Sequence, residues 1–201
     1  MQQHIDEIIS FWFGELTDAG TADDEHRARW WEKNPDFDNL IRERFGDLVA
    51  AAERGKLEDW RQSSRGQLAI ILLIDQFRRN LFRDLPEAWS EDSMAQELCR
   101  ELINSGRIND LPEQYRYFAL MPLMHAESIE NQDACVERFD ALAAAASSEP
   151  LKDNFEGAAK YARAHRDIVA RFGRFPHRNE ILGRVSTEEE AAFLETPGSS
   201  F

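Results

Sequence analysis

Apolar residues recur along this chain at steps of three and four, the spacing of one face of an α-helix. No segment shows the sustained alternation of apolar and polar residues that is typical of a strand. Residues 68–74 are apolar on all sides, and the pattern runs on through Asp75, Gln76 and Phe77, beyond usual strand length. We therefore predict a buried central helix over 68–77, with a buried strand as the alternative for the shorter stretch.

Residues that begin and end helices divide this pattern. Asn34-Pro35 is typical of an N-cap followed by proline at the first helical position, and Ser64 with Gln67 fits a capping box before the central helix. Pro122 is expected to end or kink its helix. Four glycines follow apolar stripes and are expected to end helices: Gly14, Gly55, Gly106 and Gly173.

Short connections between the predicted helices favour antiparallel neighbours. The sequence therefore predicts an all-α protein of antiparallel helical hairpins, stacked as a compact bundle or a short superhelix. No Pro/Gly/Ser-rich linker interrupts the chain, so residues 1–201 are expected to form a single domain, with a short C-terminal helix and tail over 185–201.

Charge and cysteine usage restrict the expected partners and compartment of the protein. The net charge of −14 opposes attraction to nucleic acid and to anionic membranes, so neither is an expected partner. Cys99 and Cys135 lie within helical patterns and lack the paired spacing of a metal or redox site, so we expect them to stay unpaired. The first residues lack a secretory signal, and no apolar run approaches the roughly 20 residues that span a bilayer. The expected compartment is the cytoplasm.

Familiar catalytic motifs are absent. The nearest glycines, Gly14 and Gly20, stand too far apart for a dinucleotide fingerprint or a phosphate loop. Neither G-x-S-x-G, H-E-x-x-H nor C-x-x-C occurs, which removes the commonest hydrolase, zinc-protease and thioredoxin-like functions. No cofactor is predicted.

A basic segment stands out in this acidic chain. Residues 160–184 contain seven basic residues against Asp167 and Glu180, a net charge of +5. Such a segment could hold an anionic small molecule, because guanidinium groups match carboxylate and phosphate geometry. The alternative is an ion-paired surface. The basic residues are Lys160, Arg163, Arg166, Arg171, Arg174, Arg178 and Arg184.

Two segments repeat one arrangement, an aromatic residue followed by an Arg-Asn pair. In one, Arg79-Asn80 follows Phe77, and in the other, Arg178-Asn179 follows Phe175-Pro176. Helix termination alone explains such pairs, since Asn tolerates left-handed backbone and Arg binds terminal carbonyls. The alternative is that both pairs contribute to a site.

Two histidines are candidates for acid/base chemistry. His165 falls on the apolar stripe of the longest predicted helix, so its ring should point inward and find a polar partner, from Arg178-Asn179 or from residues 125–127. His125 precedes Glu127 by two residues. A metal site of His125, Glu127 and His165 is not predicted, because H-x-E is not a zinc spacing. The alternative for each histidine is a hydrogen-bonded core residue.

Four segments together resemble DUF924, a bacterial and plant family of unknown function. They are Phe11-Trp12-Phe13, residues 74–80 (IDQFRRN), residues 121–127 (MPLMHAE) and residues 171–179 (RFGRFPHRN). The resemblance covers nearly the whole chain and implies an all-helical fold similar to tetratricopeptide-like (TPR-like) superhelices, with no assigned activity. The family pattern has proline where this chain has Arg78, which predicts a less sharply broken first turn than the one at Pro176.

The leading hypothesis is a site between helices that binds an anionic small molecule and possesses candidate catalytic groups in His125 and His165. The rival is a TPR-like scaffold whose groove binds a protein or peptide while the polar motifs brace its turns. Metal-dependent hydrolysis is the third hypothesis. The predicted ligand-binding residues are Arg79, Asn80, His125, Glu127, His165, Arg178 and Asn179.

Overall fold

A computed structural model describes residues 1–200 and confirms the all-α fold. Within these residues no strand forms, and Leu16 and Ala22 make an isolated β-bridge. The helices are α1 Gln2–Phe13, α2 Asp24–Arg29, α3 Pro35–Glu53, α4 Ser64–Ile71, α5 Arg78–Leu81, α6 Asp92–Asn104, α7 Glu113–Met124, α8 Ile129–Ala145, α9 Glu149–Phe172 and α10 Glu188–Leu194. A π-helical segment, Leu72–Phe77, joins α4 to α5, and 3-10 turns form at Glu58–Gln62, Pro86–Trp89, Arg107–Asp110 and Pro176–Arg178.

Most helix boundaries follow from local capping chemistry. The Asn34 side chain accepts hydrogen bonds from the amides of Asp36 and Phe37, as an N-cap does. Gly173 ends α9 in the left-handed conformation. The prediction for the central helix was wrong by one residue: its cap is Ser63, whose hydroxyl accepts from the Gly66 amide, because Ser63 still has extended backbone.

Two further boundaries differ from expectation for identifiable reasons. The sequence pattern did not predict α2, which buries none of its residues and so carries no apolar stripe. Pro122 lies inside the last turn of α7, which continues to Met124. Pro122 has no N–H to donate to the Phe118 carbonyl, and the helix nevertheless continues for two more residues.

The central helix is the core of the protein, as predicted. Every side chain from residue 68 to residue 74 is at most 4% exposed. Aromatic residues of α1 pack beside it: the Phe11 ring lies 4.8 Å from that of Phe45, which lies 5.0 Å from that of Phe77. On the other side, α7, α8 and α9 pack in succession, as helices with short connections do.

The first Arg-Asn segment does not form a turn. The central helix continues through Arg78, Arg79 and Asn80 and ends at Leu81. Without a proline at position 78 nothing removes a backbone donor, so the helix is unbroken. The Arg78 side chain instead pairs with Glu53 and donates to the Glu87 carbonyl at 2.8 Å and to Ser90 Oγ at 2.6 Å. It thereby fixes the 3-10 turn at Pro86–Trp89 against the core.

Two other predictions concern membrane-spanning helices and the pairing of the cysteines. Within residues 1–200, no helix is both long enough and apolar enough to cross a membrane. Cys99 and Cys135 are free and buried. Burial raises the pKa of the Cys99 thiol to about 12, so it behaves as an inert core group.

Candidate functional site

A cavity of about 840 Å³ opens between α7, α9, the end of the central helix and the turn at Pro176–Arg178. Four of the predicted site residues line it: Arg79, His125, His165 and Arg178. A smaller cavity of about 510 Å³ shares His125 and Arg178 with it. These two side chains therefore stand between two compartments.

A buried carboxylate lies behind His125. Asp75 is fully buried, and its Oδ1 lies 2.7 Å from His125 Nδ1. An ionised carboxylate only accepts, so Nδ1 carries the proton and donates it. Nε2 of His125 makes no hydrogen bond within residues 1–200, which leaves its lone pair available to a molecule in either cavity.

The protonation states of this pair suit a general base. Burial and the charge of Arg79 lower the pKa of His125, and Asp75 offsets part of that effect, so the imidazole is neutral at pH 7. Burial would raise the pKa of Asp75, but the charge of Arg79 and the hydrogen bonds from His125 and Gln76 hold it well below its usual range. The carboxylate therefore stays ionised and orients the ring, as in other carboxylate–histidine pairs.

The π-helical segment places Asp75 in this position. A π turn accommodates one more residue than an α turn and is frequent at functional sites. Here it occurs where an aspartate interrupts an otherwise apolar helix. Desolvating that carboxylate is compensated by hydrogen bonds from Gln76, Arg79 and His125.

Two arginines complete the polar end of the cavity. Arg79 donates to Asp75 Oδ1 at 3.2 Å and to Asp92 Oδ1 at 2.8 Å. Arg178 donates to the His125 carbonyl at 3.1 Å, and its nearest carboxylate oxygen, Asp92 Oδ2, is 3.6 Å away. We call Asp75, Arg79, Asp92, His125 and Arg178 the Asp75 cluster.

The Asp75 cluster retains unsatisfied donors. The Nε atoms of Arg79 and Arg178 are buried and make no hydrogen bond within residues 1–200. Burial and the neighbouring charge of Arg79 lower the pKa of Arg178 to about 10, since Asp92 only partly compensates it. An anion in the cavity would supply compensating negative charge.

His165 points inward, as its position on the apolar stripe predicted. The expected source of its partner was wrong: Nδ1 bonds the Tyr161 carbonyl, one turn earlier in α9, at 2.8 Å. Tyr161 provides this carbonyl because residues four apart share a helix face. Burial lowers the pKa of His165 to about 3, so the ring stays neutral.

Three predicted ligand-binding residues lie outside the larger cavity. Asn80 faces a different side of its helix from Arg79 and donates to Asp38 at 2.8 Å. Asn179 is fully buried and donates to Ser186 at 3.0 Å. Glu127 lines the smaller cavity but is engaged by Arg184 and by the Phe175 amide. These three side chains brace the structure.

The basic segment is mostly an ion-paired surface. Its alternative interpretation fits best, because only Arg178 enters the larger cavity from among its arginines. The others pair with acids on neighbouring elements: Arg163 with Asp140, Arg166 with Asp133, Arg171 with Glu189, Arg174 with Glu190 and Arg184 with Glu127.

Sequence reasoning missed the two carboxylates of the Asp75 cluster. Asp75 carried a usable signal, because a charged residue inside a fully apolar helix must find a buried partner. Asp92 carried none, since an acid at the start of α6 also suits an exposed helix N-terminus.

No group of three or more His, Cys, Asp and Glu side chains within residues 1–200 could hold a metal ion. His125, Glu127 and His165 are instead bonded to Asp75, Arg184 and the Tyr161 carbonyl, respectively.

Comparison with known families and solved structures shows which family the chain belongs to. The family described as bacterial protein of unknown function (DUF924) matches residues 8–198. The chain belongs to the DUF924 family. No protein of curated function matches it. The solved structure of a protein of unknown function from Agrobacterium tumefaciens is 34% identical to this chain. It superposes with a TM-score of 0.80 and covers 96% of this chain and 98% of its own.

Proposed function

We propose that this DUF924 protein binds a small anionic molecule in the larger cavity and performs acid/base chemistry on it through His125. The observation that carries the proposal is the convergence of Arg79, Arg178 and His125 on one cavity, with both Nε atoms lacking an acceptor. Buried polar groups are normally satisfied, so donors left over beside a cavity point to a ligand.

Each group has a role in this proposal. Arg79 and Arg178 bind a carboxylate or phosphate group of the ligand through their guanidinium groups. His125 takes a proton from the ligand, or from a water beside it, at Nε2, while Asp75 holds the ring in the required tautomer and stabilises the imidazolium that forms.

The scaffold hypothesis is less well supported. It requires polar motifs that are scattered and individually satisfied, which describes Asn80 but not Asn179, whose buried Oδ1 has no donor within residues 1–200. It leaves unexplained why two desolvated guanidinium groups stand beside a neutral imidazole in one cavity.

The free cysteines and the absence of membrane-spanning helices within residues 1–200 support the further proposal that the protein acts in the cytoplasm.

The test is a thermal-shift screen with metabolite carboxylates and phosphates. A ligand present at 100 times its dissociation constant should stabilise the protein by about 2.7 kcal/mol. Arg178→Ala should abolish that shift, and Arg178→Lys should restore it poorly because lysine lacks the bidentate fork. The matched control is Arg163→Ala, which removes an exposed arginine paired with Asp140. Equal shifts in both alanine variants would refute the proposal.

A further inference from the structure

The larger cavity is much bigger than one anionic group requires. At about 840 Å³ it lies in the range of pockets that enclose drug-sized ligands. Arg79, His125 and Arg178 lie together at one end, because they contact one another directly or through Asp75 and Asp92. The rest of the wall therefore decides what else the ligand carries.

The remaining wall combines an aromatic and apolar face with the polar side chains of Arg27, Arg83, Asp84, Gln114, Asp153 and Asn154. On α7, Tyr117, Met121 and Met124 are spaced by four and three residues and so share the face that ends at His125. Tyr117 lies eight residues before His125, which corresponds to about 12 Å along the helix. The apolar wall thus extends about the length of a two-ring molecule beyond the anion-binding end.

Two tryptophans close this wall. Trp30 is held in place, since its Nε1 donates to the Trp12 carbonyl at 2.8 Å and its ring packs edge-on to Phe118 at 4.6 Å. Trp31 lies nearly parallel to Phe118 yet is 61% exposed, and Tyr161 is 60% exposed. Both exposed rings line the cavity. Large aromatic side chains exposed beside a cavity are typical of a ligand-binding surface.

The cavity also depends on a missing side chain. Gly157 of α9 lines it, and a Cβ added there would meet no atom within 4 Å. Gly157 lies eight residues before His165, about 12 Å along the helix, and therefore beside the apolar wall. A larger residue at this position would narrow the apolar end without touching the charged end.

We infer that the ligand is an amphipathic acid, with its carboxylate or phosphate on Arg79 and Arg178 and an aromatic or extended apolar body between Tyr117, Trp31 and Tyr161. This inference rests on the proposed function and adds the substrate class. The Tyr117 hydroxyl makes no hydrogen bond within residues 1–200 and can donate one to a polar atom on the body.

The experiment measures the affinities of acetate, phenylacetate, indole-3-acetate and benzyl alcohol for the whole protein by ligand-observed NMR. Phenylacetate and indole-3-acetate should bind at least about tenfold more tightly than acetate, because each buries a ring. Benzyl alcohol, which lacks the charge, should bind more weakly than phenylacetate. Arg178→Ala should weaken the binding of all three acids.

Gly157→Leu separates the two ends of the cavity. It should weaken phenylacetate binding by about tenfold while leaving acetate binding unchanged, because the added side chain fills apolar space. The matched control is Gly46→Leu, another helical glycine with open space around it that lies away from both cavities. Trp31→Ala, at an exposed position, tests the same wall if Gly157→Leu does not fold.

The outcomes distinguish this inference from the proposed function. Equal affinity for acetate and phenylacetate, or no effect of Gly157→Leu and Trp31→Ala on phenylacetate, would overturn the amphipathic class and leave the anion site standing. Benzyl alcohol binding as tightly as phenylacetate, insensitivity to Arg178→Ala, or no binding of any acid would overturn both.

Discussion

Two buried polar clusters flank the end of the central helix, and they differ in how completely their groups are satisfied. In the Asp38 cluster, Asp38 accepts from Asn80 at 2.8 Å and from Arg83 at 2.7 and 2.8 Å, a bidentate pair. In the Asp75 cluster, Arg79 and Arg178 each retain a buried Nε without an acceptor, beside a cavity. The sequence neighbours Arg79 and Asn80 thus belong to different clusters.

The difference shows how to separate a structural ion pair from a candidate site. Burial alone does not, because carboxylates of both clusters are buried. The criterion that separates them is whether every buried polar group has a partner. Burying a charge costs free energy, and a fold recovers that cost only when every donor and acceptor is paired. The Asp38 cluster recovers it within the chain, whereas the Asp75 cluster does so only in part.

The largest expected effect is the loss of the buried carboxylate behind His125. Asp75→Ala should lower the free energy of unfolding by about 3–5 kcal/mol, because buried Arg79 keeps only Asp92 as a partner and the Nδ1–H of His125 loses its acceptor. Asp38→Ala should cost less, since Arg83 is partly exposed and can be hydrated. Urea unfolding of both variants measures the difference. A smaller loss for Asp75→Ala than for Asp38→Ala would break the comparison.

The second prediction concerns the pH dependence of the free energy of unfolding that arises from His165, which lines the larger cavity. The folded pKa of His165, about 3, lies below its unfolded value of 6.5, so between those values only the unfolded chain binds the proton. Stability should therefore fall as pH drops below 6.5, by up to about 1.4 kcal/mol per pH unit for this residue. Denaturant unfolding at pH 6.5 and 5.0 should show this loss of stability. In His165→Gln the loss should be smaller, because unfolding then takes up roughly one proton fewer.

NMR titration provides the check on that assignment. The ring resonances of His165 should not shift between pH 7 and 5, because the folded protein keeps the imidazole neutral. A His165 titration midpoint near 6.5 would contradict the prediction.

The smallest expected effect contrasts two arginines. Arg178→Met should leave the free energy of unfolding unchanged or raise it by about 1 kcal/mol, because methionine removes an incompletely compensated charge. Arg83→Met should lower it by about 1–3 kcal/mol, because Asp38 loses its bidentate partner. Thermal melts of the two variants decide this, and a large loss of stability in Arg178→Met would make Arg178 a brace like Arg83.

The sequence by itself determined the all-helical fold and most helix ends. These depend on interactions within a few residues: the apolar spacing over 68–77, the Asn34 cap and the left-handed Gly173 each act within one or two turns. The inward position of His165 followed from the same local spacing. Family resemblance extended this picture to nearly the whole chain but supplied no activity.

Only the tertiary structure decided which polar residues meet. Asp75 and His125 are 50 residues apart, and Arg178 follows His125 by 53. No local pattern reports such distances. The sequence also could not show that Arg79 lines the cavity and Asn80 does not. Adjacent residues on a helix diverge by about 100°, and only the packing decides which of them faces the cavity. The site is formed by helix packing and by the π turn at Leu72–Phe77, which depend on the whole core.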